Sequence, residues 1–379
     1  MSRFFTRERF GSAQFIAGFI LLVFFLQCLW FCSRVPLTDR EIAFILQGQH
    51  EWRGREVVMH ALGSPITGLL ASLPVLTSQA TQEEEVPPFW RWAARLPFML
   101  IGVLFGASIW YVARRLYGNP GGYIAVILYA FSPFFIIHST LVQPDVVAGW
   151  GAFGVIFTAI GLSHSLYAPR EVILWNWKRI LLLGVAIGVS CAAHPAVIFL
   201  LPVALGFMWY LVPERRGAAT VILLAGCVIG SIVLWATYAF RLSAAWQAIL
   251  SSHLLPLSSD AYTAGITWSW LAIFFIRQQP TFTLLLVIAV ITFFAWKRPR
   301  FFGTQAPLIV FALLLVLGIG MPTQGAMIYY LMALPFAFVF VSGVLTDMLE
   351  SRYAPVSFGV VVGILIGHIL ISVTGLLRM

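Results

Sequence analysis

Seven of the chain's fourteen acidic residues fall between positions 39 and 85: Asp39, Glu41, Glu51, Glu56 and the run Glu83-Glu84-Glu85. Asp39 stands in Val35-Pro36-Leu37-Thr38-Asp39-Arg40-Glu41, just beyond a long apolar stretch. A carboxylate at a membrane–water boundary, under a loop that can fold over it, suits general-base work on an acceptor hydroxyl or amine. The competing reading is a cap, with Thr38 or Asp39 opening a short helix over 41–48. Asp145, in Leu141-Val142-Gln143-Pro144-Asp145, has the same two readings. It suits the N-cap of a following helix, and it also belongs to a dense polar set with His138, Ser139, Thr140 and Gln143. Ionisable groups near or within a membrane are functional candidates by default. His60 and His138 are suited to donating hydrogen bonds to a phosphate, and equally to ordinary packing. Arg241 and Arg277 each end an apolar stretch, and Arg53 and Arg55 lie in the acidic region. Each offers a charged fork for phosphate oxygens or an anchor at lipid headgroups.

The elements that must position these residues are helices in lipid. The 379 residues are 60% hydrophobic and only 10% charged, with a mean hydropathy of +0.93. Soluble domains carry about 25% charged residues, so this chain cannot cover a water-facing surface. The apolar stretches run without strict alternation, at lengths that suit helices crossing about 30 Å of hydrocarbon rather than short barrel strands. The sequence predicts an all-α integral membrane protein of about eleven spans, in one polytopic domain over 1–379. The spans are expected at 13–33, 93–113, 121–138, 146–163, 180–193, 196–212, 218–240, 280–296, 304–320, 327–345 and 355–377. Pro195 disfavours helix at His194, so a break falls between the fifth and sixth.

Basic residues set the expected orientation. With a cytoplasmic N-terminus, and with 61–76 not crossing, 14 Lys and Arg face inward and 9 outward, the 23 of the composition. That agrees with the positive-inside bias. A crossing at 61–76 would flip every later loop, so this Gly- and Pro-containing segment is expected to be an interfacial or re-entrant helix on the outer face. The outer face then holds a first loop over 32–92 and a second over 241–279. Long loops of this kind usually have a purpose. The basic start Met1 to Phe10 precedes an apolar run without a small-residue cleavage site, which reads as an uncleaved first helix.

Other chemistries have little support. No basic run exceeds Lys297-Arg298-Pro299-Arg300, which argues against nucleic acid. Cys28, Cys32, Cys191 and Cys227 form no CxxC pair and read as packing residues. Gly118-Asn119-Pro120-Gly121-Gly122 lacks the Lys and Ser/Thr of a nucleotide loop and reads as a cytoplasmic turn. No metal-ligand motif such as HExxH is present, although Asp39, Asp145 and a His could meet in space, and no cofactor is expected.

Several stretches, in order, resemble one family. These are Arg95-Leu96-Pro97 through Arg114-Arg115-Leu116-Tyr117-Gly118, Phe131-Ser132-Pro133 through His138-Ser139 to Pro144-Asp145, Leu182 to Pro202 with His194-Pro195, and Tyr329-Tyr330-Leu331 with Leu334-Pro335. They are similar to the polytopic glycosyltransferases that use a polyprenyl-phosphate-linked sugar, the group holding protein O-mannosyltransferases and bacterial aminoarabinose transferases of lipid A. The resemblance implies a base in the first outer loop, where Asp39 stands with Glu41 nearby, and a phosphate-holding position at His60. Three departures accompany it: Arg40 separates Asp39 from Glu41, Ala61 and Leu62 replace two prolines after His60, and Ile328 stands where a basic residue precedes the late Tyr. The implied activity is inverting sugar transfer at the outer, periplasmic face of a bacterial inner membrane. Asp39, Glu41 and Asp145 are the expected catalytic set; His60, Arg53, Arg55, His138, Arg241 and Arg277 are the expected phosphate contacts. The expected partners are the lipid-linked sugar and membrane lipids. The alternative is a family-derived subunit without catalysis inside a larger membrane assembly. A transporter has less behind it, since the spans hold almost no charge and no inverted repeat is visible.

Overall fold

The computed structural model describes residues 11–54, 64–78, 87–166, 177–241, 275–276, 279–296, 302–319, 323–350 and 354–378. Among these residues the fold is helical throughout. The helices are α1 (Ser12–Arg34), α2 (Asp39–Trp52), α3 (Pro65–Ser72), α4 (Trp90–Ala93), α5 (Leu96–Ala130), α6 (Pro133–Thr140) and α7 (Asp145–Ser165). They continue as α8 (Trp177–Ala193), α9 (Leu200–Leu211), α10 (Arg216–Thr237), α11 (Pro280–Ala295), α12 (Phe302–Ile319), α13 (Thr323–Leu349) and α14 (Ala354–Leu377). Six stretches of the described residues are long and apolar enough to cross a membrane, and four apolar helices are shorter.

One of the six, Trp90–Ala130, contains α5, which at 35 residues would reach about 52 Å if straight. It does not run straight. The Tyr129 hydroxyl donates to the Gly102 carbonyl at 2.7 Å, across 27 residues of chain, so the two arms 96–117 and 119–130 lie side by side. The reversal is at Gly118, whose φ of 76° belongs to the left-handed region that glycine enters at least cost. The turn expected at Gly118–Gly122 is therefore present. The expected third span, 121–138, is instead two helices: α5 ends at Ala130 and α6 restarts at Pro133. Proline lacks the N–H that would continue the ladder, yet suits the first turn of a new helix.

The core lies around α13, whose residues 328–346 are all buried. It is enclosed by α5, α7, α11, α12 and α14. Phe105 of α5 meets Tyr129, Phe135 and Phe153 with ring centroids 5.6 to 5.9 Å apart, and Phe135 reaches Phe338 of α13 at 5.7 Å. A second close contact joins α8 to α10. A Cβ at Gly188 would lie 2.6 Å from the Gly230 carbonyl oxygen, and one at Gly184 would lie 3.0 Å from that of Gly226. Paired Gly-x-x-x-Gly stretches let two helices approach to backbone contact where lipid supplies no hydrophobic drive between them. The opposite side of α10 exposes Val221, Leu224, Val228, Ile232 and Trp235, a stripe at helical spacing suited to hydrocarbon.

The segment expected to lie at the interface forms α3 and a 3-10 turn, Leu73–Val75. Its eleven residues, Pro65–Val75, reach about 17 Å, too short to cross. It packs on α2 at Gly48 and Gly68, where any Cβ on Gly48 would run into the Gly68 carbonyl. The Gln49 amide also donates to the carbonyls of Val75 and Ser78, at 2.8 and 3.0 Å.

Candidate functional site

The loop after α1 is organised by one buried ion pair. Arg95 Nε and Nη2 donate to Glu41 Oε1 and Oε2 at 2.8 and 2.7 Å. The same guanidinium donates to the carbonyls of Val35 and Pro36, at 2.7 and 2.8 Å. Glu41 Oε1 also accepts the Val142 amide at 3.0 Å. Side-chain exposure is 0% for Arg95 and 2% for Glu41, so the pair is shielded from water and its hydrogen bonds are nearly saturated. Burial pushes the Glu41 carboxyl up, but the Arg95 fork, its charge and the amides of Val142 and Thr38 outweigh this and hold it below the usual carboxylate range. Glu41 thus ties the end of α1, the first turn of α2, the start of α5 and the approach to α7 together.

Thr38, not Asp39, takes the cap. Its hydroxyl accepts the Glu41 amide at 3.3 Å, while Glu41 Oε2 accepts the Thr38 amide at 3.0 Å. This is a reciprocal capping box. Asp39 follows as the first helical residue, exposed, with no hydrogen bond or ion pair among the described residues.

Across the Glu41–Val142 bond lies an open acid–base pair. His138 closes α6 and Asp145 opens α7; His138 Nδ1 lies 2.8 Å from Asp145 Oδ2, with side chains 13% and 18% exposed. The Phe134 ring lies against the imidazole, centroids 4.2 Å apart. Neither His138 Nε2 nor the second Asp145 oxygen has a partner among the described residues, and neither belongs to the buried atoms left without one. Both are therefore open to an incoming molecule. His194, at the break before Pro195, accepts the Ala196 amide on Nδ1 at 3.2 Å, which leaves its proton on Nε2. Burial holds its imidazole below the ordinary value, and the Asp145 charge pulls the other way. His194 is a neighbour of the site that its sequence position does not reveal as one.

Glu51 closes α2. Its Oε1 accepts from Gln47 at 2.8 Å, while Oε2 is buried without a partner. Burial pushes this carboxyl up to about 7, against hydrogen bonding from Gln47 and the charge of Arg241. Arg241 stands at the end of α10, and Arg53, at the end of α2, reaches the Leu76 carbonyl at 3.4 Å. Arg55, His60 and Arg277 lie outside the described residues. No group of three or more His, Cys, Asp or Glu able to hold a metal ion occurs among the described residues.

The chain is similar to known proteins in one segment and in its fold. Residues 88–239 match the family model of dolichyl-phosphate-mannose-protein mannosyltransferase, a stretch that includes Arg95, His138, Asp145 and His194. The fold is shared with ArnT from Cupriavidus metallidurans bound to undecaprenyl phosphate, at a TM-score of 0.63 and 14% identity, over 97% of this chain and 65% of that one. It is also shared with the archaeal oligosaccharyltransferase AglB from Archaeoglobus fulgidus, in complex with an inhibitory peptide and a dolichol-phosphate. There the TM-score is 0.62 at 12% identity, over 96% of this chain and 56% of that one. This chain thus spans just over half of AglB and about two thirds of ArnT. No curated protein matches it by sequence.

Proposed function

We propose that the chain belongs to the superfamily of glycosyltransferases that use polyprenyl-phosphate-linked sugars, a reading supported by its matched segment and its shared fold. It moves a sugar from such a donor to an acceptor at the outer face of a bacterial inner membrane, with its N-terminus in the cytoplasm. The observation that carries the reading is the juxtaposition at one end of the bundle. Asp39, an unengaged carboxylate, opens the helix whose Glu41 accepts the Val142 amide, and Val142 lies three residues before Asp145 of the open His138–Asp145 pair.

In this reading Asp39 takes the proton of the acceptor's O–H or N–H as the acceptor's lone pair attacks the anomeric carbon. Attack from the side opposite the phosphate inverts that carbon. The phosphate leaves with its growing charge met by Arg and His side chains, among which Arg53, Arg55, His60, Arg241 and Arg277 are the proposed contacts. The test is transfer by the full chain reconstituted in vesicles with polyprenyl-phosphate sugars. Asp39→Asn should lower the rate by about 100-fold or more with an unchanged unfolding midpoint. A wild-type rate left intact by this substitution would remove Asp39 from the site.

A second reading, a membrane subunit without catalysis, is favoured by one observation. Glu41, one of the three expected catalytic acids, is locked into a strut. Gentle-detergent purification separates the readings: a stoichiometric protein partner and no transfer of sugar would support the subunit.

A further inference from the structure

We infer that Glu51 sets how firmly Arg241 holds the donor's phosphate, competing for the guanidinium when ionised and releasing it when protonated. The inference rests on the transferase reading and adds a positioning residue to it, since Glu51 acts through Arg241. Two structural features carry it. The first is the Glu51 carboxyl, in the last turn of α2. Oε1 accepts from Gln47 at 2.8 Å, while Oε2 is buried with no hydrogen-bond partner. A buried carboxylate oxygen without a donor is costly to leave charged, so this group carries its charge only with a cation at hand.

The second feature is the turn that ends α10. Ala239 and Phe240 have φ of 50° and 59°, left-handed conformations that residues with a Cβ adopt at a cost. The turn is held by the Phe240 amide on the Trp235 carbonyl and the Arg241 amide on the Tyr238 carbonyl, both at 3.0 Å. The Phe240 ring also meets that of Trp235, centroids 5.6 Å apart. Strain of this kind persists where the surroundings over-determine it, and it gathers where a group must be held in place. Here the group is Arg241, the next residue. Tyr238 and Arg241 both lie within electrostatic reach of Glu51, so the strained turn brings the cation to the carboxyl. On α2 itself stand His50, beside Glu51, and Arg53, which donates to the Leu76 carbonyl at 3.4 Å. The segment packed on α2, α3 with its 3-10 turn, carries no titratable side chain. Among the described residues Arg241 is thus the cation that acts on Glu51 from another element.

Burial brings the Glu51 carboxyl up to about 7, so its charge changes near neutral pH. Below that value Glu51 is neutral and the Arg241 charge meets a phosphate undivided. Above it the carboxylate competes for the fork and repels the phosphate. Affinity for a lipid phosphate is therefore lowered by Glu51 as pH rises through about 7, and a bound phosphate in turn favours protonated Glu51.

The test measures binding of undecaprenyl phosphate to the full chain in detergent. Wild type is compared with Glu51→Gln at each pH, so the lipid's own ionisation cancels. The two should bind alike near pH 5, and near pH 8 Glu51→Gln should bind about 5-fold tighter or more. Arg241→Gln should weaken binding at both, and Glu51→Gln should then add nothing in that background. In transfer assays the same variants should move KM for the donor and leave kcat in place. A Glu51→Gln advantage that is absent near pH 8, or that survives Arg241→Gln, overturns the inference and leaves the transferase reading intact. Absence of undecaprenyl phosphate binding by every variant removes the transferase reading instead. The unfolding midpoint then decides the pair alone. Arg241→Gln should carry the midpoint's decline with rising pH beyond about 7, because the carboxyl has lost its cation; a decline that ends at the wild-type pH overturns the pairing.

Discussion

Two acid–base pairs stand at the same end of this molecule, joined by a single hydrogen bond from Val142, and they differ in what surrounds them. Arg95 and Glu41 are sealed from water, and their hydrogen-bonding groups are committed to each other, to backbone or to the capping box. His138 and Asp145 make one bond to each other and leave one atom apiece open. Residue type does not separate a strut from a site; saturation and burial do. A saturated buried pair has nothing left to offer a substrate, and breaking it strands a charge in a low-dielectric interior. A half-open pair is a weak contributor to stability and keeps a proton-binding atom available.

The sharpest way to break this comparison is Arg95→Ala. It leaves Glu41 buried and unpaired, and should cost about 3–5 kcal/mol, read as a large drop in the unfolding midpoint in detergent together with lost activity. Arg95→Lys should fall in between, since an ammonium cannot reproduce the fork. By contrast, Asp145→Asn should shift stability by about 1 kcal/mol or less while lowering transfer. Equal destabilisation by Arg95→Ala and Asp145→Asn would erase the distinction.

The acidic helix α2 allows two smaller tests by pH, with opposite signs. Glu41 has a folded pKa below its unfolded value, so its contribution is present above the unfolded value and is lost as pH falls through the folded one. Glu41→Gln should flatten the acid side of the stability curve. Glu51 has a folded pKa of about 7 against an ordinary 4.5, so its contribution is full below 4.5 and is lost as pH rises through about 7. Glu51→Gln should remove that decline, measured as the unfolding midpoint between pH 5 and 8. A Glu51→Gln midpoint that falls with pH as in the wild type would place the titrating group elsewhere.

Local backbone chemistry accounts for what could be read directly. The reversal at Gly118 and the break at His194-Pro195 each follow from Gly or Pro acting on its own few residues, whereas the reading of 61–76 as non-crossing rested on the balance of basic residues along the chain. The split of the expected 121–138 span had its signal too, in Ser132-Pro133, which an apolar run on both sides concealed. The candidate site was visible as a list of residue types and largely invisible as an arrangement. Asp39, Glu41 and Asp145 stand together in the sequence reading, yet the fold separates them into an unengaged carboxylate, a strut and half of a pair.

The composition and apolar run lengths by themselves determined a helical membrane protein, because a chain with so little charge must satisfy its backbone internally. Only the tertiary structure decided which acid meets which base. Arg95 lies 54 residues from Glu41, and no local rule couples positions that far apart. His138 and Asp145 are only seven residues apart, but they belong to different helices. Their meeting depends on the turn between α6 and α7, which Glu41 holds through the Val142 amide.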